Sequence, residues 1–241
     1  MQLSIIIPAL NEREHLPATF VALGEADLVH EVITVDGGST DGTQDWVRNH
    51  STARLIEAER GRGLQLNAGA QAASGDTLLF LHADCTLSPG AFETIARVLA
   101  DDKVVGGCFR IGFAEQWPHP SALSLSLVAC AVNRRSSALK TATGDQAIFV
   151  RRSTYDAVGG FAFWPLFEDI DFVTRIKRLG KFVVSSPPVV ISARRWLTCG
   201  VWRTTFLMGL LLAGYRVGIP PVRLKRWFSD MRPACREAKR A

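Results

Sequence analysis

The chain has 241 residues, 47% of them hydrophobic, enough to bury one large core or two small ones. Its five cysteines (Cys85, Cys108, Cys130, Cys199 and Cys235) are odd in number and scattered, without CxxC spacing. That pattern argues against a disulfide framework or a zinc site and for a reducing cytoplasm. The net charge of +5 is uneven, because residues 194–241 carry 11 Lys/Arg against 2 Asp/Glu, a local +9 that leaves residues 1–193 at −4. The basic excess therefore belongs to the tail. It suits an anionic membrane surface or an anionic acceptor better than nucleic acid, or else a solvated helical face.

In chain order, the first apolar run is Leu3–Leu10. No basic segment precedes it and it ends in Asn11-Glu12, so it reads as a buried strand rather than a signal peptide. Strands are expected at Ser4–Pro8, Val32–Asp36, Arg54–Glu57 and Thr77–Leu81, alternating with helices near His15–Leu23, Thr43–Asn49 and Leu64–Ala73. That rhythm predicts an α/β fold with a predominantly parallel sheet covered by helices on both faces. Further strands are expected at Val104–Ile111, Gln146–Val150 and Phe182–Val184, with helices near Ser121–Asn133 and over Asp169–Leu179. The last long apolar stretch, Phe206–Ala213, falls far short of the ~20 residues a spanning helix needs. With Trp202 and the flanking Arg203 and Arg216 it suits peripheral contact with a membrane, packing against the rest of the chain being the equal alternative. The expected division is a catalytic domain over 1–193 and a basic, partly amphipathic helical extension over 194–241.

In parallel sheets ligands bind beyond the carboxyl ends of the strands. Those positions are polar here: Asn11-Glu12, Asp36-Gly37-Gly38-Ser39, Arg60–Arg62 and His82-Ala83-Asp84. Asp36 at a strand end can accept hydrogen bonds from a base or ribose, although an ordinary turn uses the same residues. His82 and Asp84, two apart on an extended chain, project to one side and could hold a divalent cation. Asp84 suits Mg²⁺ or Mn²⁺, and His82 favours Mn²⁺ or a hydrogen bond to phosphate. Arg62 lies in a basic loop whose Gly61-x-Gly63-x-x-Leu66 spacing lacks the third glycine of a dinucleotide fingerprint, and it fits a phosphate or base contact, or a solvated turn. Glu168, Asp169 and Asp171 open a helix, where the macrodipole favours carboxylates and helps keep a general base ionised. Trp117, Phe163 and Trp164 are either sugar platforms or core.

Taken together these segments resemble family 2 glycosyltransferases, the inverting group with the GT-A fold. The resemblance rests on Ile5–Glu12, Val35–Thr43, Asn67-Ala68-Gly69, Ala73–Asp76, Phe80–Asp84, Gly160-Phe161 and Glu168–Asp171 with Arg175 and Gly180. It implies a nucleotide-sugar donor, UDP-sugar favoured, and Mn²⁺ or Mg²⁺. Pro8, Glu12 and Asp36 would sit beside the nucleoside, Asp84 would be the metal ligand of a DxD motif, and Asp169 the catalytic base. His82 departs from that motif by replacing its first Asp. His82-Ala83-Asp84 with Gly144-Asp145-Gln146 and Ser192–Trp196 is similar to a small uncharacterised bacterial subgroup. Arg194, Arg195 and Trp196 resemble the end of the processive synthases' Gln-x-x-Arg-Trp motif, which implies acceptor or phosphate contacts, as does Glu168 beside the base. Competing readings are a sugar nucleotidyltransferase and a noncatalytic module binding anionic lipid or nucleic acid. The acceptor is not legible in the sequence.

Overall fold

The structure is a computed structural model that describes residues 1–24, 28–114 and 120–230. Trp117 and Cys235 lie outside the described residues. In order, the elements are β1 (Leu3–Ala9), α1 (Leu16–Leu23), β2 (Val29–Asp36), α2 (Thr43–His50), β3 (Arg54–Glu57), α3 (Arg62–Ala72), β4 (Thr77–Phe80), β5 (Cys85–Leu87), α4 (Ala91–Leu99), β6 (Val104–Phe113), α5 (Ala122–Leu139), β7 (Ile148–Arg151), α6 (Arg152–Val158), α7 (Glu168–Ile176), β8 (Lys181–Ile191), α8 (Arg194–Cys199), α9 (Val201–Arg216) and α10 (Pro221–Asp230).

Eight strands form one sheet in the order β3-β2-β1-β4-β7-β6-β8-β5. Pairs β3–β2, β2–β1, β1–β4 and β6–β8 are parallel, and β7 enters antiparallel between β4 and β6. The two-residue period of β1 explains the sandwich. Ile5 and Ile7 face a core shared with Leu16, Val47, Phe92 and Ile95, whereas Ile6 faces the opposite core with Leu66, Ala70, Phe172 and Ile176. Helix α3 lies close on the sheet because residue 69 is glycine. A Cβ there would sit 2.4 Å from Ile6 Cγ2 and 2.9 Å from Val35 Cγ2.

The expected elements are all present, and the differences have local causes. β8 continues past Val184 to Ile191 despite Pro187-Pro188, which fall in the gap where its register with β6 shifts, so no ladder bond is needed there. Helix α5 runs past Asn133 to Leu139 because the Asn133 side chain bonds the β6 backbone rather than its own helix. Its Oδ1 accepts from Ile111 N at 2.8 Å and its Nδ2 donates to Ile111 O at 3.0 Å. The strand expected from Gln146 starts at Ile148, since Gly144–Gln146 form a 3₁₀ turn capped by Thr143. β5, α4 and α6 were not anticipated. Among the described cysteines, Cys85, Cys108 and Cys130 are free thiols and Cys199 is disulfide-bonded, a single cross-link beside the expectation that no disulfide framework forms. Sequence spacing does not report proximity in space.

Helix α3 is tied to the loop before α7 by Asn67. Its Nδ2 donates to Phe161 O (2.9 Å), and its Oδ1 accepts from Phe161 N (2.8 Å) and from the Tyr155 hydroxyl (2.7 Å). All three bonds are buried, so deleting the amide strands their partners away from water. Asn67→Ala is expected to cost about 2–4 kcal/mol, from several buried groups left unpaired. Urea unfolding at constant m-value checks this.

Candidate active site

The first two strand ends are bound together before any ligand arrives. Asn11 sits in left-handed backbone at φ 56°, where its amide N bonds Ser39 Oγ (2.9 Å) and its Oδ1 receives Thr40 N (2.8 Å). Glu12 N donates to Thr43 Oγ1 at 3.0 Å. Asp36 is fully buried at the end of β2, and Pro8 pairs with Val35 beside it. Four donors reach the Asp36 carboxylate: the Gly38 and Ser39 amides, the Ser39 hydroxyl and Gln44 Nε2. Burial alone would raise its pKa, but these hydrogen bonds outweigh burial and hold it below the usual value. Gln65 closes the frame by donating from Nε2 to Ala9 O (2.8 Å) and Val35 O (2.9 Å).

The fourth strand end carries His82, Asp84 and Cys85, each able to offer one ligand atom, with those atoms within 4.8 Å of one another. Burial and then the positive charge of Arg62 lower the His82 pKa to about 4, so its imidazole is neutral at physiological pH. Its Nε2 is buried and has no hydrogen-bond partner. A neutral imidazole with an orphaned nitrogen beside a carboxylate is a donor set that fits a divalent cation of borderline character. The Cys85 thiol is pushed well up by burial and by Asp84.

The 3₁₀ turn brings Gly144 between this strand end and α7. A Cβ on Gly144 would lie 2.6 Å from His82 Nε2 and 3.5 Å from Asp169 Oδ2, so any larger residue would have to displace the His82 ring. Its amide instead donates to Asp169 Oδ2 at 2.6 Å, and Ile170 N donates to Oδ1 at 2.7 Å. The turn is held by the buried Gln146, which accepts from Ser136 Oγ (3.0 Å) and Thr143 N (3.1 Å) and donates to Phe109 O (3.0 Å).

Asp169 is 7% exposed and its neighbour Glu168 2%. Glu168 faces Arg62 Nη1 at 3.3 Å, which joins the basic loop to the helix start. Burial, then the charge of Glu168, push the Asp169 pKa up to about 7, against the pull of Arg62 and the two amides. This revises the expectation drawn from the helix dipole, because desolvation exceeds the field of one helix terminus. Asp171 pairs with Arg175 one turn on, at 2.8 Å.

Phe167, the residue before α7, has left-handed backbone at φ 66°, unusual for a bulky side chain. Its ring lies 5.0 Å from that of Tyr215 on α9, within a cluster built on Leu211 and Leu224. Trp164 meets Tyr215 edge-on at 6.2 Å, and Phe163 is exposed. The C-terminal helices thus pack against the segment that leads into Asp169. Their outer side still exposes Trp202, Phe206 and Leu210.

Of the remaining sequence-derived residues, Arg194 contacts His15 and lies 3.9 Å from Glu12 Oε2. The charge of Arg195 reaches His82. Trp196 is half-buried and packed edge-on against Phe113 at 5.0 Å, at the margin of the core. Sequence reasoning gave no role to Gly144, Gln65 or Arg135. Arg135 on α5 feels Asp145 and Asp169 while burial lowers its pKa. The Gly144-Asp145-Gln146 string was the available signal.

Residues 4–159 match the family described as Glycosyl transferase family 2. The chain belongs to that family. Among relatives, an undecaprenyl-phosphate 4-deoxy-4-formamido-L-arabinose transferase of Sodalis glossinidius is 29% identical over 127 residues, covering 48% of this chain and 39% of the relative. A PGL/p-HBAD biosynthesis glycosyltransferase of Mycobacterium bovis is 30% identical over 187 residues, covering 71% of this chain and 68% of the relative. The match to the first of these thus spans well under half of that protein's length. The fold resembles that of the mannosyltransferase PcManGT from Pyrobaculum calidifontis, solved with GDP-Man and Mn²⁺, at a TM-score of 0.62 and 22% identity over 91% of this chain and 65% of that one. The arrangement is therefore of the GT-A kind.

The raised pKa of Asp169 has a consequence for stability. Between its value of 3.8 in an unstructured chain and about 7 in the fold, the unfolded state has released this proton while the native state keeps it. The contribution of this group to stability therefore falls as pH rises through that window. Asp169→Asn is expected to melt above the wild type near pH 8, by roughly 2–4 °C for each 1 kcal/mol of relieved charge burial, with the gap closing near pH 4. Calorimetric melting temperatures across that range check it.

Proposed function

We propose that this family 2 member transfers a sugar from a nucleotide-diphosphate donor to an acceptor group, with a divalent cation and with inversion at the anomeric carbon. The observation that carries the proposal is the placement of Gly144, whose amide donates to the Asp169 carboxylate and where an added Cβ would fall 2.6 Å from His82 Nε2. It joins a cation-ligating site to a candidate base.

In this reading Asp84 and His82 hold the cation, Mn²⁺ favoured by the imidazole, which supplies charge neutralisation for the diphosphate when bound. Pro8, Glu12 and Asp36 border the nucleoside, Asp36 by fixing the turn through its four internal bonds, and Arg62 faces the phosphates. Asp169 takes the proton from the acceptor hydroxyl. A pKa near neutrality matches that task, since a base must be largely free of its proton yet strong enough to accept one. Gly144 and Ile170 amides fix both carboxylate oxygens, so the proton has one defined destination at a time. The donor is tested first as a UDP-sugar, with GDP-mannose beside it because PcManGT was solved with that nucleotide sugar. The relative named for undecaprenyl phosphate supports a lipid-linked acceptor. Residues 1–193 form the catalytic unit and 194–241 its extension.

Two substitutions separate the roles. Asp84→Ala abolishes metal-dependent donor binding in calorimetry, whereas Asp169→Asn leaves donor binding intact and lowers transfer by about 10²–10⁴-fold, the loss typical of a missing general base. Wild-type transfer by Asp169→Asn, or product of retained configuration, overturns the mechanism.

Among the described residues no helix is long and apolar enough to cross a membrane. The exposed Trp202, Phe206 and Leu210 on α9, with Arg223 and Arg226 on the next helix, support peripheral attachment to an anionic surface. The protein is expected to float with phosphatidylglycerol vesicles at low salt. Trp202→Ala/Phe206→Ala is expected to leave it at the bottom of the gradient.

A further inference from the structure

Helices α5 and α9 bring three polar side chains toward Asp169 that the transfer chemistry leaves unused. The first is Arg135, on a turn of α5 that is anchored on both sides. Asn133 bonds Ile111 of β6 through both ends of its amide, and Ser136 Oγ donates to the buried Gln146 Oε1 at 3.0 Å. Further along, Lys177 Nζ of the segment after α7 donates to Leu139 O at 2.7 Å. The backbone under Arg135 is therefore fixed, but its head is not. Nε is buried without a hydrogen-bond partner. Asp145, Asp169 and Arg216 are near enough for their charges to act on the guanidinium. Arg216 is exposed in the last turn of α9. Beside it, the Tyr215 ring lies 5.0 Å from that of Phe167, two residues before Asp169, and the charges of Asp171 and Asp169 reach its hydroxyl. Among the described residues, none of these three side chains makes a hydrogen bond or an ion pair.

The neighbouring carboxylates do not serve Arg135 because they are engaged elsewhere. Asp145 Oδ1 accepts from the Thr143 hydroxyl, and both oxygens of Asp169 accept from backbone amides. An anchored arginine with a sealed, unpartnered N–H costs folding energy, and a second unpaired cation from another helix adds repulsion to that cost. An anion placed between them relieves both. A carboxylate or phosphate accepts two parallel N–H bonds from a guanidinium fork, and the Tyr215 hydroxyl supplies a further donor. A neutral ligand leaves the repulsion standing.

We propose that Arg135, Arg216 and the Tyr215 hydroxyl form an anion subsite beside Asp169, and that the acceptor carries a carboxylate or phosphate as a second group next to the hydroxyl it offers. A hydroxy acid, a uronate or a sugar phosphate meets that description. A molecule whose phosphate is itself the nucleophile does not, because its reacting oxygen and its charge are one group. The inference rests on the reading of Asp169 as the group that meets the acceptor. It adds a charge requirement that the base alone does not set.

The test titrates the full chain with glucose, glucuronate and glucose 6-phosphate at constant ionic strength, with UDP and Mn²⁺ present to fill the diphosphate site, following the melting temperature. The two anions are expected to bind about tenfold to a hundredfold more tightly than glucose, the range for hydrogen bonds to a charged group. Whichever anion binds more tightly names the head group. Arg135→Met is expected to erase the gap between anions and glucose, and without ligand to melt no lower than the wild type, since it removes an unpartnered buried donor. Arg135→Lys keeps the charge without the fork and is expected to keep part of the gap. Arg216→Met, at an exposed position, is expected to narrow it. Equal binding of glucose and both anions to the wild type, or a gap that survives intact in either methionine variant, overturns the proposal. So does a ligand-free Arg135→Met that melts well below the wild type, because the guanidinium is then a structural counter-ion. Transfer at the wild-type rate by Asp169→Asn, with the gap intact, leaves the anion subsite standing and removes the base assignment instead.

Discussion

A carboxylate that is 7% exposed is held in this fold by two backbone amides, while the second buried carboxylate, its sequence neighbour Glu168, pairs with one guanidinium. The Gly144 amide is the decisive partner, because it comes from a separate segment. For that amide to reach Asp169, the turn must lie against His82 with no side chain between them, and glycine is the residue that permits it. The 3₁₀ turn, its Thr143 cap and the buried Gln146 can all be understood as means of holding one N–H in place. Desolvation still dominates, so the carboxylate titrates near neutrality. A group so arranged costs folding energy in its ionised form and gains basicity by the same physics.

The opposite side of Asp169 depends on packing rather than on hydrogen bonds. Phe167 would relax from its left-handed conformation if its ring were free, and the contact with Tyr215 and the Leu211–Leu224 cluster keeps it in place. The start of α7 is thereby coupled to α9, whose other side exposes Trp202 and Phe206. A surface that engages the exposed side of α9 lies one helix diameter, roughly 10–12 Å, from the aromatic contact at the entry to Asp169. The basic extension is in this respect part of the site's support.

Sequence periodicity was enough to place the first four strands and their helices, because a sheet buried on both faces leaves unbroken apolar runs that end in polar residues. Asp36, His82, Asp84 and Asp169 were legible for the same reason: each stands where an apolar run stops or a helix begins. The weaker signals were long-range. Gln65 joins two strand ends from inside a helix, Asn133 serves β6 from α5, and Gly144 meets residues 62 and 25 positions away in sequence. None of these pairings leaves a periodic trace. The edge contact of Trp196 with Phe113 is equally long-range. The burial of Glu168 was equally invisible, because its partner Arg62 opens α3, 106 residues earlier, where the sequence suggests a loop.

Charge explains why these separate devices share one place. Asp84, Asp145, Glu168 and Asp169 converge with Arg62, and the charges of Arg135 and Arg195 reach the same cluster. His82 contributes no charge to that balance, being neutral. A diphosphate entering alone would add negative charge to a site already rich in carboxylates, and the resulting repulsion would be large in so desolvated a place. In the proposed reading donor and divalent cation therefore enter together, since their charges cancel and the arginines remain paired with the carboxylates they now serve. In the same reading, a histidine at position 82 fits this balance. A second ionised carboxylate at position 82 would stand against Asp84, whereas a neutral nitrogen can ligate without adding to the repulsion.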